Sequence, residues 1–229
     1  MLITKHKVLN MYNNQYPTHT LLHTSSSFNG YRVQDKYQPL MLNNLLIHER
    51  VLMKALSNHK RICALRFELK FPKDYPSIDD RFVSRFFDSL RVRVKIDVSN
   101  KNKRTGRNDE CYLSYIWVYE LSSKGEWHFH VIIFLNHDVY NCFGSLKNTE
   151  GNMFSRIRAS WASSLNLSFD GVSGLIHIPN NAVYKVDANS EDYEQQIHDV
   201  LYRLSYFAKT QTKPFGSGTR NRFFGYSAL

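Results

Sequence analysis

The stretch Trp127-His128-Phe129-His130-Val131-Ile132-Ile133-Phe134-Leu135 sets two histidines two residues apart inside an apolar run. On an extended chain side chains alternate, and residues i and i+2 share a face roughly 6–7 Å apart. His128 and His130 therefore look one way, while Phe129 and Val131 look into a core. Two imidazoles in so apolar a strand bring ring nitrogens that need partners, and one divalent ion can serve both. We read them as metal ligands rather than satisfied core histidines. The third ligand depends on the turn. A three-residue loop Ser123-Lys124-Gly125, with Gly125 left-handed, pairs Ser122 with Glu126 and Glu120 with His128. Glu120 then shares the histidine face. A two- or four-residue loop turns Glu120 away, and Glu126, already in phase with His128, is the rival. Two histidines and a carboxylate suit Mg²⁺ or Mn²⁺.

A second group lies about 75 residues on, in Tyr202-Arg203-Leu204-Ser205-Tyr206-Phe207-Ala208-Lys209. At 100° per residue, a helix places His198, Tyr202, Tyr206 and Lys209 in one narrow arc. Ile197, Val200, Leu201, Leu204 and Phe207 cluster on its other sides. A tyrosine hydroxyl is a feasible covalent nucleophile when its target is polarised. A divalent ion does this for a phosphodiester by neutralising a non-bridging oxygen and orienting the phosphate. Attack would leave a phosphotyrosine and free a hydroxyl, so the break could be resealed. Tyr-x-x-Lys alone is a weak motif. Its pairing with His-x-His is far more specific.

The elements that must hold these groups can be read from periodicity. Residues 1–40 are polar and broken by Asn13-Asn14, Ser25-Ser26-Ser27 and Asn29-Gly30, with Tyr12, Tyr16, Tyr31 and Tyr37 interleaved. They read as an arm packed on the domain. Residues 41–58 suggest a helix and Arg61 to Phe71 a strand ended by Pro72 and Pro76. Residues 79–91 read as a helix opened by Asp79-Asp80, and 99–109 as an exposed basic loop. Cys111 to Leu121 and Trp127 to Leu135 form a hairpin. A helix over 152–165, a strand over 174–186 interrupted at Pro179-Asn180-Asn181, and a long helix over 190–212 capped by Ser190 complete the pattern. The expected fold is α+β, a central antiparallel sheet with helices packed on it. Residues 1–59 are expected as an N-terminal arm and helix and 60–229 as the catalytic domain.

The chain of 229 residues carries 30 Lys and Arg against 20 Asp and Glu, a formal charge of +10. That excess favours a polyanionic partner. The longest apolar run, Val131 to Leu135, falls far short of the ~20 residues of a membrane helix. The first residues lack a signal-peptide pattern, and three widely spaced cysteines, Cys63, Cys111 and Cys142, suggest no disulfide framework. A cytoplasmic protein with no membrane partner is expected. Candidate contacts to nucleic acid are the basic loop with Lys101, Lys103, Arg104 and Arg107, and the tail with Arg220, Arg222, Phe223, Phe224 and Tyr226. Trp117 and Trp161 read as core.

Taken together, these motifs resemble the HUH (His-hydrophobic-His) tyrosine endonucleases. The nearest likeness is to the inovirus gene-2-type replication proteins and the YagK/YfjJ C-terminal domain proteins of prophages. The resemblance spans roughly 60–229. It rests on Gly125-Glu126-Trp127-His128-Phe129-His130 with Leu135-Asn136-His137-Asp138, and on Tyr202 to Lys213. Cys63 to Leu69, with Glu68 where Asp is expected, and Arg222 to Ser227 add support. It implies the HUH architecture (an RRM- or ferredoxin-like sheet) and metal binding by His128 and His130. It implies Tyr206 as nucleophile, Lys209 at the scissile phosphate or positioning the attacking group, and Tyr202 as a possible second nucleophile one turn earlier. The implied activity is metal-dependent nicking and rejoining of single-stranded DNA at an origin or hairpin, through a 5′-phosphotyrosine. That would start rolling-circle replication of a phage or prophage-like element, with a host helicase or polymerase as further partners. A relaxase or single-strand transposase would use the same chemistry, and a DNA-binding module could reuse the scaffold without it.

Overall fold

The structure is a computed structural model that describes residues 20–73, 75, 81–213 and 223–228. The expected helix opening at Asp79-Asp80, Pro76, the start of the arm, and the tail positions Arg220 and Arg222 lie outside the described residues.

In chain order the elements are β1 (Leu22–His23), β2 (Ser27–Phe28), β3 (Tyr31–Arg32), β4 (Leu40–Met41), α1 (Leu42–Asn58), β5 (Arg61–Lys70) and α2 (Arg81–Thr105). Then follow β6 (Ser114–Leu121), β7 (Trp127–Asn136), α3 (Met153–Leu165), β8 (Ile176–His177), β9 (Val183–Asp187), α4 (Tyr193–Ser205) and β10 (Phe224–Tyr226). The fold is α+β. A six-stranded antiparallel sheet runs β10-β6-β7-β5-β8, and β9 shares the outer edge of β5 with β8.

Strand alternation gives this sheet two unlike faces. Phe67, Leu69, Trp117, Tyr119, Phe129, Val131 and Ile133 point to one face, where Phe86, Phe87 and Leu90 of α2 and Ile157 and Trp161 of α3 complete a core. Ile62, Ala64, Ile116, Val118, Ile132 and Phe134 point to the other, against Val51 and Leu52 of α1 and Val200 and Leu204 of α4. The histidines lie on this second face, in step with Ile132 and Phe134.

The β6–β7 hairpin has the three-residue loop expected. Ser122 N–H donates to Glu126 C=O at 2.9 Å, Gly125 has φ +78°, and Glu120 sits opposite His128. The strand expected over 174–186 is split into β8 and β9, broken at Pro179-Asn180-Asn181 with Asn181 left-handed (φ +53°). Trp117 and Trp161 are buried in the core.

Two expectations are corrected. The basic loop expected over 99–109 is helix as far as Thr105. Val98 is buried there, Asp97 pairs with Lys101 at 3.1 Å, and Lys103 and Arg104 in the last turn oppose the helix dipole. The long helix expected over 190–212 is shorter at both ends. It is capped at Asp192, with Ser190 in the preceding turn, and closes into a 3-10 turn at Tyr206–Ala208. Lys209 is extended and bridges to Leu40. Over its described part the arm packs on the domain, as expected. Gln34 N–H donates to Ser205 Oγ at 2.9 Å, Gln34 Nε2 to Tyr202 C=O at 2.9 Å, and Thr210 Oγ1 to Pro39 C=O at 3.1 Å. The turn that carries Tyr206 is thus laced to residues 34–40.

Candidate metal and tyrosine site

The site forms where β5, β6 and β7 pass beneath the end of α4. Register alone brings four polar residues together, since Glu120 lies opposite His128 and Glu68 opposite His130. His128 Nε2 and His130 Nε2 face each other at 3.1 Å. Glu120 Oε2 is 3.3 Å from His130 Nε2, and Glu120, His128 and His130 form a group able to hold a metal ion. Glu126 is exposed and offers the histidines its backbone carbonyl, 3.3 Å from His128 Nδ1.

The outer ring nitrogens each face an oxygen. His128 Nδ1 meets the Glu126 carbonyl at 3.3 Å and His130 Nδ1 meets Glu68 Oε1 at 3.3 Å. With a proton on each Nδ1, both Nε2 lone pairs point at one another with no hydrogen between them. A shared cation relieves this, as does a proton on His130 Nε2 donated to His128 Nε2 or Glu120 Oε2, while burial together with its neighbour His130 lowers the His128 pKa, away from an added proton. Two nitrogens bound to one ion at about 2.1 Å stand roughly 3.0–3.4 Å apart, so the observed spacing fits a shared divalent ion. Glu68, 3.3 Å from His130 Nδ1, is the carboxylate that would orient a metal-bound histidine.

Glu120 is 1% exposed and carries most of the local charge balance. Lys213 Nζ donates to its Oε1 at 2.6 Å. Lys209 Nζ lies 2.8 Å from Oε2, and Thr212 Oγ1 donates there at 2.9 Å. Burial pushes the Glu120 carboxyl up, but Lys213, His130 and Lys209 together hold it well below the usual carboxylate range. Glu68 behaves likewise: burial raises it, and the His130 and His128 rings bring it down to about 2. Burial lowers Lys213, opposed by Glu120.

Lys209 also donates to Tyr206 Oη at 2.5 Å. Its Nζ sits 3.8 Å from the centre of that ring, and the ring packs edge-on to His130 at 5.5 Å. A continuous path therefore joins Tyr206, Lys209, Glu120, His130 and His128. Tyr202 takes a different position. Its ring lies 6.4 Å from His198 and 5.7 Å from the Arg32 guanidinium. Tyr206 opens the 3-10 turn that follows Ser205, and Lys209 beyond it is extended, so the helical arc does not continue to Lys209.

The other expected contacts are dispersed. Lys103 and Arg104 end α2, the helix that covers the opposite face of the sheet. Phe224 pairs with Val118 in β10 and packs on His48 at 5.5 Å. Beside His128 opens a cavity of about 550 Å³ lined by Lys70, Phe71, Lys73, Lys124 and Trp127. Sequence reasoning passed over Tyr37, whose ring meets Tyr206 edge-on at 4.9 Å. It gave Lys213 no role of its own, and nothing local marks it as the partner of a strand carboxylate 93 residues away. Glu68 entered only through the resemblance. Its place within the strand's apolar middle, two residues after Arg66, was the available signal.

No solved structure matches the chain. Among curated proteins it is 32% identical over 189 residues to the "Uncharacterized protein YagK" of Escherichia coli K12, covering 79% of this chain and 89% of the relative. It is 29% identical over 190 residues to the "Uncharacterized protein YfjJ" of the same strain, covering 78% and 90%. The family model of the YagK/YfjJ C-terminal domain matches residues 23–227. The match takes in the segment that laces the Tyr206 turn as well as the sheet, and the chain belongs to the YagK/YfjJ C-terminal domain family.

Proposed function

We propose that this protein is an endonuclease of the HUH type, which nicks and rejoins single-stranded DNA with Tyr206 as the nucleophile. One observation carries the reading: Tyr206 Oη is hydrogen-bonded to Lys209, and Lys209 is salt-bridged to the Glu120 that abuts the histidine pair. A hydroxyl, an ammonium and a two-histidine, one-carboxylate cluster meet in one small volume. The helix-backed antiparallel sheet, with the histidines on a central strand, is compatible with the ferredoxin-like architecture of that group.

His128 Nε2, His130 Nε2 and Glu120 Oε2 are the atoms that would hold Mg²⁺ or Mn²⁺. When bound, the ion would neutralise a non-bridging phosphate oxygen and fix the phosphate's orientation. Tyr206 Oη attacks the phosphorus, and the bond from phosphorus to the 3′-oxygen breaks. The phenolic proton ends on that oxygen, leaving a 3′-hydroxyl and a 5′-phosphotyrosine. Lys209 stabilises the charge that develops on Oη, and Glu120 holds Lys209 in place. Attack by a 3′-hydroxyl on the phosphotyrosine reverses the step and reseals the strand. The cavity beside His128, with Trp127, Phe71 and three lysines, has the mix of aromatic and basic groups that single strands use. On this reading the protein works in the cytoplasm of a bacterial host and starts rolling-circle replication of a phage or prophage-like element. No helix among the described residues is long and apolar enough to cross a membrane.

The test is a covalent-adduct assay with circular single-stranded DNA, with Mn²⁺ or with a chelator, resolved under denaturing conditions. The reading expects a metal-dependent adduct that vanishes in Tyr206→Phe and in His128→Ala. Salt-sensitive DNA binding with no adduct on any circular template would favour a non-catalytic DNA-binding module.

A further inference from the structure

Arg66 lies on β5 two residues before Glu68, on the histidine face of the sheet. It is only 8% exposed, yet its Nε has no hydrogen-bond partner. Among the described residues no carboxylate forms an ion pair with it. An arginine cannot shed its proton, so a buried one without a partner is costly. Most buried arginines are neutralised by a bidentate carboxylate. The groups facing this guanidinium are Arg203, Glu68, Tyr184 and Tyr206.

The surroundings add positive charge rather than cancel it. Arg203, on the last turn of α4, donates from Nε to Tyr184 Oη at 3.0 Å. Tyr184 sits opposite Ala64 on β9, one pleat along from Arg66. Glu68 is the acid that acts on Arg66, and its Oε1 is turned to His130 Nδ1 at 3.3 Å. With a second guanidinium acting on Arg66 and this carboxylate engaged elsewhere, the Arg66 charge is not matched by an ion pair among the described residues. Tyr206 is among the groups that face it.

We propose that Arg66, backed by Arg203, is an oxyanion-binding site for a phosphodiester, the one that Tyr206 would attack. The guanidinium fork would take two non-bridging oxygens at once, a geometry an ammonium cannot copy. This rests on the nicking reading for the identity of the phosphate, although the anion site itself does not require cleavage. It also explains why a strand so apolar elsewhere keeps an arginine in a buried position.

The test compares the wild-type full-length protein with Arg66→Gln and Arg66→Lys. The ligands are a single strand of about ten nucleotides with ordinary linkages and the same strand with neutral methylphosphonate linkages, a length within the span of compact single-strand sites. Arg66→Gln is expected to weaken binding of the charged strand about ten- to a hundredfold, the range for a charge-assisted hydrogen-bonded pair. Binding of the neutral strand should not change. Arg66→Lys should recover only part of the loss. The melting temperature should hold or rise in Arg66→Gln, because an unpaired buried charge has been removed. A fall in melting temperature, or equal weakening for both strands, makes the arginine structural and overturns the proposal. An adduct yield and binding untouched by Arg66→Gln overturn it while leaving nicking intact. Arg66-dependent binding with no adduct in the wild type would remove the nicking reading and keep the anion site.

Discussion

The two faces of the central sheet are built from the same strands and serve opposite ends. Toward α2 and α3, Phe67, Phe129 and Trp161 form a dry aromatic core. Toward α1 and α4, the apolar packing of Ile132 and Phe134 gives way within one pleat to His130, Glu120, Arg66, Lys209 and Lys213, all buried. The first face can only stabilise. The second buries charges whose desolvation is offset only while each partner stays in place. A fold tolerates such a cluster when the opposite face supplies ample apolar burial, and charge is retained where chemistry needs it.

The sharpest break of this comparison is a matched pair of substitutions. Trp161→Ala should cost about 3–5 kcal/mol by denaturant unfolding through the cavity it leaves, with Mn²⁺ binding retained by the folded fraction. Glu120→Ala should cost a similar 3–5 kcal/mol, because Lys213 and Lys209 are left buried without their acid, and should also remove Mn²⁺ binding. If Glu120→Ala were as stable as the wild type, the buried network would not be the liability described.

Acid should probe the charged face in two steps. Burial, with Lys213 adding, holds His48 down to about 3, below its unfolded value near 6.5. The unfolded chain takes up that proton first, so stability is full above about pH 6.5 and falls by up to about 1.4 kcal/mol per pH unit below it. His48→Phe should flatten that limb. Glu68, held to about 2, contributes stability that is present above its unfolded value near 4.3 and is lost as pH falls toward 2. Glu68→Gln should flatten only the lower limb. A stability profile with the same slope in His48→Phe as in the wild type would refute the assignment.

A smaller effect is expected from metal. Mn²⁺ at a hundred times its dissociation constant should stabilise the wild type by about 2.7 kcal/mol, read as a thermal shift that a chelator reverses. His130→Ala should show no such shift, whereas Phe129→Leu on the opposite face should keep it.

The least effect should come from Tyr37. Its edge contact holds the Tyr206 ring from the N-terminal side. An aromatic pair is worth about 0.5–1.5 kcal/mol, so Tyr37→Leu should slow adduct formation roughly three- to tenfold with DNA affinity unchanged. Equal rates in the two proteins would mean that Tyr206 is positioned by Lys209 and His130 alone.

Much of this molecule was legible beforehand where the governing rule is local. Alternation in Trp127 to Leu135 separated the two faces, and a three-residue loop with left-handed Gly125 was one of the turns that set Glu120 opposite His128; the structure has that turn. The α2 boundary was misread because polar, basic residues such as Lys101 and Lys103 suit a helix surface as well as a loop. The arc drawn through Tyr202 and Tyr206 does not reach Lys209, for a different reason. Gln34 and Leu40 hold the end of α4 in a tighter turn, and that restraint comes from a segment some 170 residues away.

The sequence by itself determined the strands, the antiparallel hairpin and the chemistry available to it: two imidazoles in phase, two carboxylates in the same hairpin, Glu120 and Glu126, and a tyrosine with a lysine three residues on. Only the tertiary structure decided which charges meet. It set Glu120 between Lys209 and Lys213, turned Glu68 to His130, and left Arg66 buried with no paired acid. Backbone periodicity fixes the face a side chain takes. Which partner shares that face is decided by the burial of the whole sheet against α1 and α4, where removing water makes each long-range pairing either obligatory or costly.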